Sequence, residues 1–181
     1  MAKASTLFEV LSQSKLDPDE MAFHMNNDLN QTKTSGMFVT SIVGEYNLIT
    51  DEIRWVNAGH QPAVLRDENG KYSQFESSAP PLGVIKQKEK SIYITNKTKL
   101  NGSRFYAFTD GLSESLDDKG EEIGIEGSIE IIEENFNTDT SKQLDKITKT
   151  IMDTSQSRNL SDDLTLISIG CLLYTSPSPR D

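Results

Sequence analysis

The chain has 181 residues, the length of one domain, and is 35% hydrophobic and 25% charged, as expected of a globular chain on the polar side. Eighteen Lys and Arg against 28 Asp and Glu leave a net charge of -10, which argues against nucleic acid and anionic membranes as partners and suits a cation site. The single cysteine, Cys171, excludes an internal disulfide and a cysteine metal cluster. No apolar run approaches the ~20 residues of a spanning helix, and no leader-like segment opens the chain, so a cytoplasmic location is expected.

Residues 1–11 carry helical apolar spacing (Leu7, Phe8, Leu11) with no capping signal in front of it. Asp17-Pro18-Asp19-Glu20 predicts a helix start, with Asp17 as N-cap, Pro18 at the first helical position and Glu20 closing a capping box. That helix is expected to reach about Gln31 and to bury Met21, Met25 and Leu29, with His24 partly exposed beside them. Residues 37–46 and 52–57, joined by a turn at 47–51, read as strands. Residues 63–66 and 71–75 flank Asp67-Glu68-Asn69-Gly70, whose Asn-Gly pair is a strong hairpin signal. Residues 79–83 form a proline-stiffened loop. Alternation over 91–95 predicts a strand, and 104–109 another. Acidic, loop-like sequence over 112–124 leads to helices at 126–135 and 141–154, and 163–169 closes as a strand. Strands gathered in a block between helices define an α+β fold with mainly antiparallel sheet. Beyond Gly170 the pattern stops. Residues 171–181, ending Ser-Pro-Ser-Pro-Arg-Asp, resemble translated sequencing adapter and are set apart as a non-native tail.

Two acidic stretches sit at strand ends. Asp110-Gly111 follows the aromatic run 105–108, and Gly111 is expected to end the strand and turn the chain. Ser161-Asp162-Asp163 leads into the last strand. Carboxylates at the ends of two core strands could share a hard cation such as Mg²⁺ or Mn²⁺, but solvated loop acids fit the residues as well. Asn57-Ala58-Gly59-His60 lies between two strands, with His60 either lining a site or holding a turn. Asp117 and its neighbours fail the calcium-loop pattern and read as a solvated turn.

Four stretches in order carry a resemblance: Met37-Phe38-Val39-Thr40, Asn57-Ala58-Gly59-His60, Thr109-Asp110-Gly111-Leu112-Ser113-Glu114 and Ser161-Asp162-Asp163-Leu164-Thr165. Pro81-Leu82-Gly83-Val84 sits between the second and third. Together they resemble the stage II sporulation protein E-type phosphatase domain, a branch of the metal-dependent serine/threonine protein phosphatases, over residues 1–170. The resemblance implies an α-β-β-α sandwich with two Mn²⁺ or Mg²⁺ ions at one end of the sheets and attack on phosphorus by metal-bound hydroxide. It implies Asp110 and Asp162 as catalytic metal ligands, Asp163 and Gly111 as further metal-site residues, and His60, Asn57 and Gly59 as lining. It also implies a phosphorylated protein substrate such as an anti-sigma-factor antagonist, and an upstream sensor or regulatory domain. The family's Asp-x-x-Gly-His-Gly-type turn with its bridging aspartate has no counterpart here. The expectation is therefore a domain lacking its N-terminal strands, weak or inactive alone. The rival is a phosphatase-fold module that binds a partner without catalysis.

Overall fold

A computed structural model describes residues 2–31, 38–117, 119–137, 139–154 and 163–170. The expectations for Met37, Asp162 and residues 171–181 fall outside the described residues. Helices α1 (Ala2–Ser12) and α2 (Pro18–Gln31) open the chain. Strands β1 (Ser41–Asn47), β2 (Glu52–Ala58), β3 (Ala63–Arg66) and β4 (Tyr72–Phe75) follow. Next come a single 3-10 turn (Lys90–Ile92), β5 (Asn96–Lys99), β6 (Arg104–Phe108) and the one-turn helix α3 (Asp110–Ser113). Helices α4 (Gly124–Glu134) and α5 (Thr140–Thr154) precede β7 (Leu166–Ile169).

The strands form two antiparallel sheets, ordered β1-β2-β5 and β4-β3-β6-β7. Side chains alternate across a strand, so each central strand serves two layers. Ile53 and Trp55 of β2 face the other sheet and cluster with its Ala63 and Phe105 and with Leu100 just after β5, whereas Val56 and Ala58 face α2 with Met25 and Ala22. On β6, Phe105 faces the first sheet, while Tyr106 and Phe108 pack on Ile132 of α4 and on Ile147 and Ile151 of α5. The layers run helix, sheet, sheet, helix. Trp55 makes edge contacts with Phe75 and Phe105 at centroid distances of 5.1 and 5.0 Å. Such pairs contribute about 0.5–1.5 kcal/mol each beyond their burial.

Polar contacts fix the outer helices. Arg66 of β3 forms a two-point ion pair with Glu133 of α4 at 2.7 and 3.0 Å, Tyr72 donates to the same carboxylate at 2.7 Å, and the Arg66 guanidinium lies 3.8 Å from the centre of the Phe136 ring. The Asp17 and Glu20 carboxylates make tertiary contacts, Asp17 accepting from Arg54 at 2.8 Å and Glu20 from Lys90 at 2.9 Å.

Two expectations are corrected. Residues 91–95 are not a strand. Ile92 and Tyr93 pack onto the α2 layer, and Lys90 pairs with Asp19 and Glu20, which turns the chain there. The strand is Asn96–Lys99, paired with β2. Gly111 does not turn the chain either: it lies inside α3, and its role is close packing, described below.

Among the described residues, nothing covers one side of the sandwich. β1 ends the first sheet and β7 ends the second. Between them lies a cavity of about 260 Å³, lined by Ile42, Tyr46, Trp55, Phe105, Ile167 and Ile169 among others. Ile167 is half exposed at its rim.

Candidate metal and active site

The aromatic run of β6 buries the strand up to Phe108, so the chain emerges from the core at Thr109 and Asp110. Thr109 is extended (φ -76°, ψ 163°) and ties this exit to the segment leading into β7. Its N–H donates to the Thr165 carbonyl at 3.0 Å, its hydroxyl donates to the Asp163 carbonyl at 2.9 Å, and the Thr165 N–H donates to that hydroxyl at 2.9 Å. The next contact is steric. A Cβ on Gly111 would stand 2.7 Å from the Asp163 carbonyl oxygen and 3.0 Å from its carbon, so only glycine lets the two backbones lie this close. The two predicted acidic strand ends are thus brought together. Asp110 opens α3 and Asp163 lies against it, both exposed. Asp162 is outside the described residues.

The Asn57–His60 turn approaches from β2 and β3. Asn57 is fully buried, and its side chain shapes the turn: Oδ1 accepts from the His60 N–H and Nδ2 donates to the Gln61 carbonyl, both at 2.9 Å. Gly59 has φ +69°, and a Cβ there would stand 2.4 Å from Pro81 Cγ. His60 lines the inter-sheet cavity beside Thr109 and Thr165. Burial lowers its pKa below the usual imidazole value; the Gln61 backbone and the negative charge of Asp110 oppose this without overcoming it. The ring is therefore neutral near pH 7, and its buried Nδ1 has no hydrogen-bond partner.

The donors suit a hard divalent cation in kind, being carboxylate oxygens at the protein surface. Among the described residues, no three Asp, Glu, His or Cys side chains converge on one point. Asp117 lies apart from this chemistry. Its Oδ1 accepts from the Lys119 and Glu121 N–H groups, both at 2.9 Å, so its carboxylate closes a turn. Sequence reasoning missed Thr109, which fastens the two acidic ends, although a β-branched hydroxyl between a strand and an aspartate offers a signal for it. It also missed Asn26 and Asn27 in α2. Two consecutive asparagines inside a helix are poor helix formers, which marks them as holding something else.

The model of the Stage II sporulation protein E (SpoIIE) family matches residues 1–171, and the chain belongs to that family. Phosphoserine phosphatase RsbU of Bacillus subtilis is 21% identical over 170 residues, 92% of this chain and 49% of its own length. The solved structure of the PP2C phosphatase domain of SpoIIE from Bacillus subtilis, with a fragment of its regulatory domain, superposes with a TM-score of 0.75 at 17% identity, covering 92% of this chain and 48% of that one. RsbX in complex with magnesium superposes with a TM-score of 0.61 at 19% identity, covering 92% and 70%. These likenesses establish the α+β fold. The chain spans between 23% and 49% of the length of the curated relatives it matches. No described helix is long and apolar enough to cross a membrane.

Proposed function

We propose that the chain carries the Asp110 side of the active centre of a metal-dependent protein serine/threonine phosphatase. Its substrate is phosphoserine or phosphothreonine on a regulatory protein, such as an anti-sigma-factor antagonist. The observation that carries this reading is the clamp of Thr109 and Gly111 on residues 163–165, which holds two acidic strand ends at one edge of the sandwich. Family membership and the phosphoserine phosphatase named among the relatives support it. Asp110 and Asp163, with Asp162, would hold Mg²⁺ or Mn²⁺. When bound, such an ion supplies an activated water and neutralises the phosphoryl oxygens. The exposure of both carboxylates suits a phosphorylated side chain on a folded protein, which cannot enter a deep pocket. His60, neutral and partly buried, lines the approach without adding positive charge.

We also propose that the open β1/β7 side takes further strands of the same domain, with 1–170 as its larger part and 171–181 as a tail outside it. A second ion needs a carboxylate beyond Asp110, Asp162 and Asp163, so the 181-residue chain alone is expected to turn over slowly or not at all. The test is Mn²⁺-dependent hydrolysis of a phosphoserine protein, by the chain and by a version extended upstream. In the extended protein, Asp110→Asn and Asp162→Asn each abolish turnover and Asp117→Asn does not. Wild-type rates in Asp110→Asn would overturn the ligand assignment. Robust turnover by the 181-residue chain would overturn the need for a further carboxylate.

A further inference from the structure

Helix α2 holds a loop by its main chain. Asn26, 1% exposed, accepts from the Gly83 N–H at 2.9 Å through Oδ1 and donates to the Ile85 carbonyl at 3.0 Å through Nδ2. Asn27 repeats the pattern on Gln87, accepting from its N–H at 3.0 Å and donating to its carbonyl at 3.1 Å. A side-chain amide carries the donor and acceptor of a peptide group, so each asparagine stands in for a strand neighbour along this segment. The segment begins at Pro81-Leu82. Leu82 exchanges two hydrogen bonds with Val39, both 2.8 Å, and the Pro81 ring lies directly against Gly59, one residue before His60.

We infer that Asn26 and Asn27 are positioning residues: by fixing residues 83–87 they hold Pro81 against Gly59 and so set the Asn57–His60 turn beside Asp110. The physical basis is the asymmetry of buried hydrogen bonds. Truncating Asn26 removes the partners of the Gly83 N–H and the Ile85 carbonyl at a part-buried seam between helix and loop, and a group there that water does not reach costs more than its bond contributed. The segment then moves to find water, and the proline at its head moves with it. Gly59 cannot follow by simple rotation, because its φ of +69° and its contact with Pro81 are matched to one arrangement.

Amide hydrogen exchange on the 181-residue chain tests this, and because it reads the fold, its failure is distinguishable from failure of the phosphatase reading. Asn26→Ala and Asn27→Ala are each expected to speed exchange at their own loop amides, Gly83 and Gln87, by about tenfold or more. They should also speed exchange at Gly59 and His60, while amides of β6 change only with global stability. Asn27, less buried than Asn26, gives the variant that folds if Asn26→Ala does not. Asn27→Asp keeps the acceptor for the Gln87 N–H but loses the donor to the Gln87 carbonyl, so it is expected to restore protection at Gln87 and His60 only in part, to a level between Asn27→Ala and the parent. Ile147→Ala removes buried volume from α5, in the other helical layer and away from the loop, and should accelerate exchange without singling out Gly59 and His60. Wild-type exchange at Gly59 and His60 while Gly83 or Gln87 is freed would overturn the inference. So would the same selective loss in Ile147→Ala at matched stability.

Discussion

Gly111→Ala tests the packing that brings the two acidic strand ends together. The added methyl would stand 2.7 Å from the Asp163 carbonyl oxygen, where ordinary contact begins near 3.4 Å. Its next neighbours, at 3.0 and 3.3 Å, are also backbone atoms, of Asp163 and Leu164. No side-chain rotation relieves them, so the 163–165 segment must retreat by roughly 0.7 Å. Overpacking of this kind costs about 1–3 kcal/mol, and alanine's better helix propensity returns at most ~1 kcal/mol. A net loss of about 1–2 kcal/mol is expected, or a melting temperature lower by roughly 2–8 °C for a chain of this size. Retreat also stretches the two Thr109 hydroxyl bonds and separates Asp163 from Asp110, so Mn²⁺ affinity should fall with stability. Urea unfolding and Mn²⁺ titration of both proteins give the two readings. A variant as stable as the parent would refute the close-approach argument. A destabilised variant with unchanged Mn²⁺ affinity would refute the claim that this contact aligns the site.

Two further outcomes are expected. Glu133→Gln removes the ion pair to Arg66 and should cost about 1 kcal/mol, a modest figure because the carboxylate is partly exposed. Arg66 holds the Glu133 pKa below its ordinary 4.5, so this stabilisation is complete above about pH 4.5 and is lost as pH falls through the folded value. The stability gap between parent and variant should accordingly close in acid, and a gap that widened there would contradict the assignment. Removing residues 171–181, of which only the first lies within the family match, should leave the melting temperature unchanged, whereas a clear drop would show the tail to be packed.

Much of the fold is legible because its elements follow their own periods. The i, i+4 apolar spacing of α2 and α5 and the aromatic run of β6 each determine one buried face. The β3–β4 turn is written in Asp67 and Gly70: Asp67 Oδ1 accepts from the Asn69 and Lys71 N–H groups, and Gly70 takes φ +84°. The error at 91–95 has a physical origin. Ile92 and Tyr93 are apolar because α2 covers them, while the true strand, Asn-Lys-Thr-Lys, is polar because it lies at a sheet edge, where one face and one side meet water. The two acidic strand ends could be picked out from the sequence, but what joins Asp110 to the Asp163 segment could not. The Thr109 hydroxyl and the missing Cβ of Gly111 act between segments more than 50 residues apart, and no local pattern records such a contact.

The position of Trp55 has an optical consequence. It is the chain's only tryptophan, 1% exposed between the sheets and on the wall of the β1/β7 cavity. Indole emission, excited at wavelengths longer than the five tyrosines absorb, therefore arises at one known point in the inter-sheet layer. Any strand or molecule that enters the cavity, or any water admitted when the sheets part, changes the surroundings of that indole. The chain thus carries a fluorophore that reports on its open side without any label.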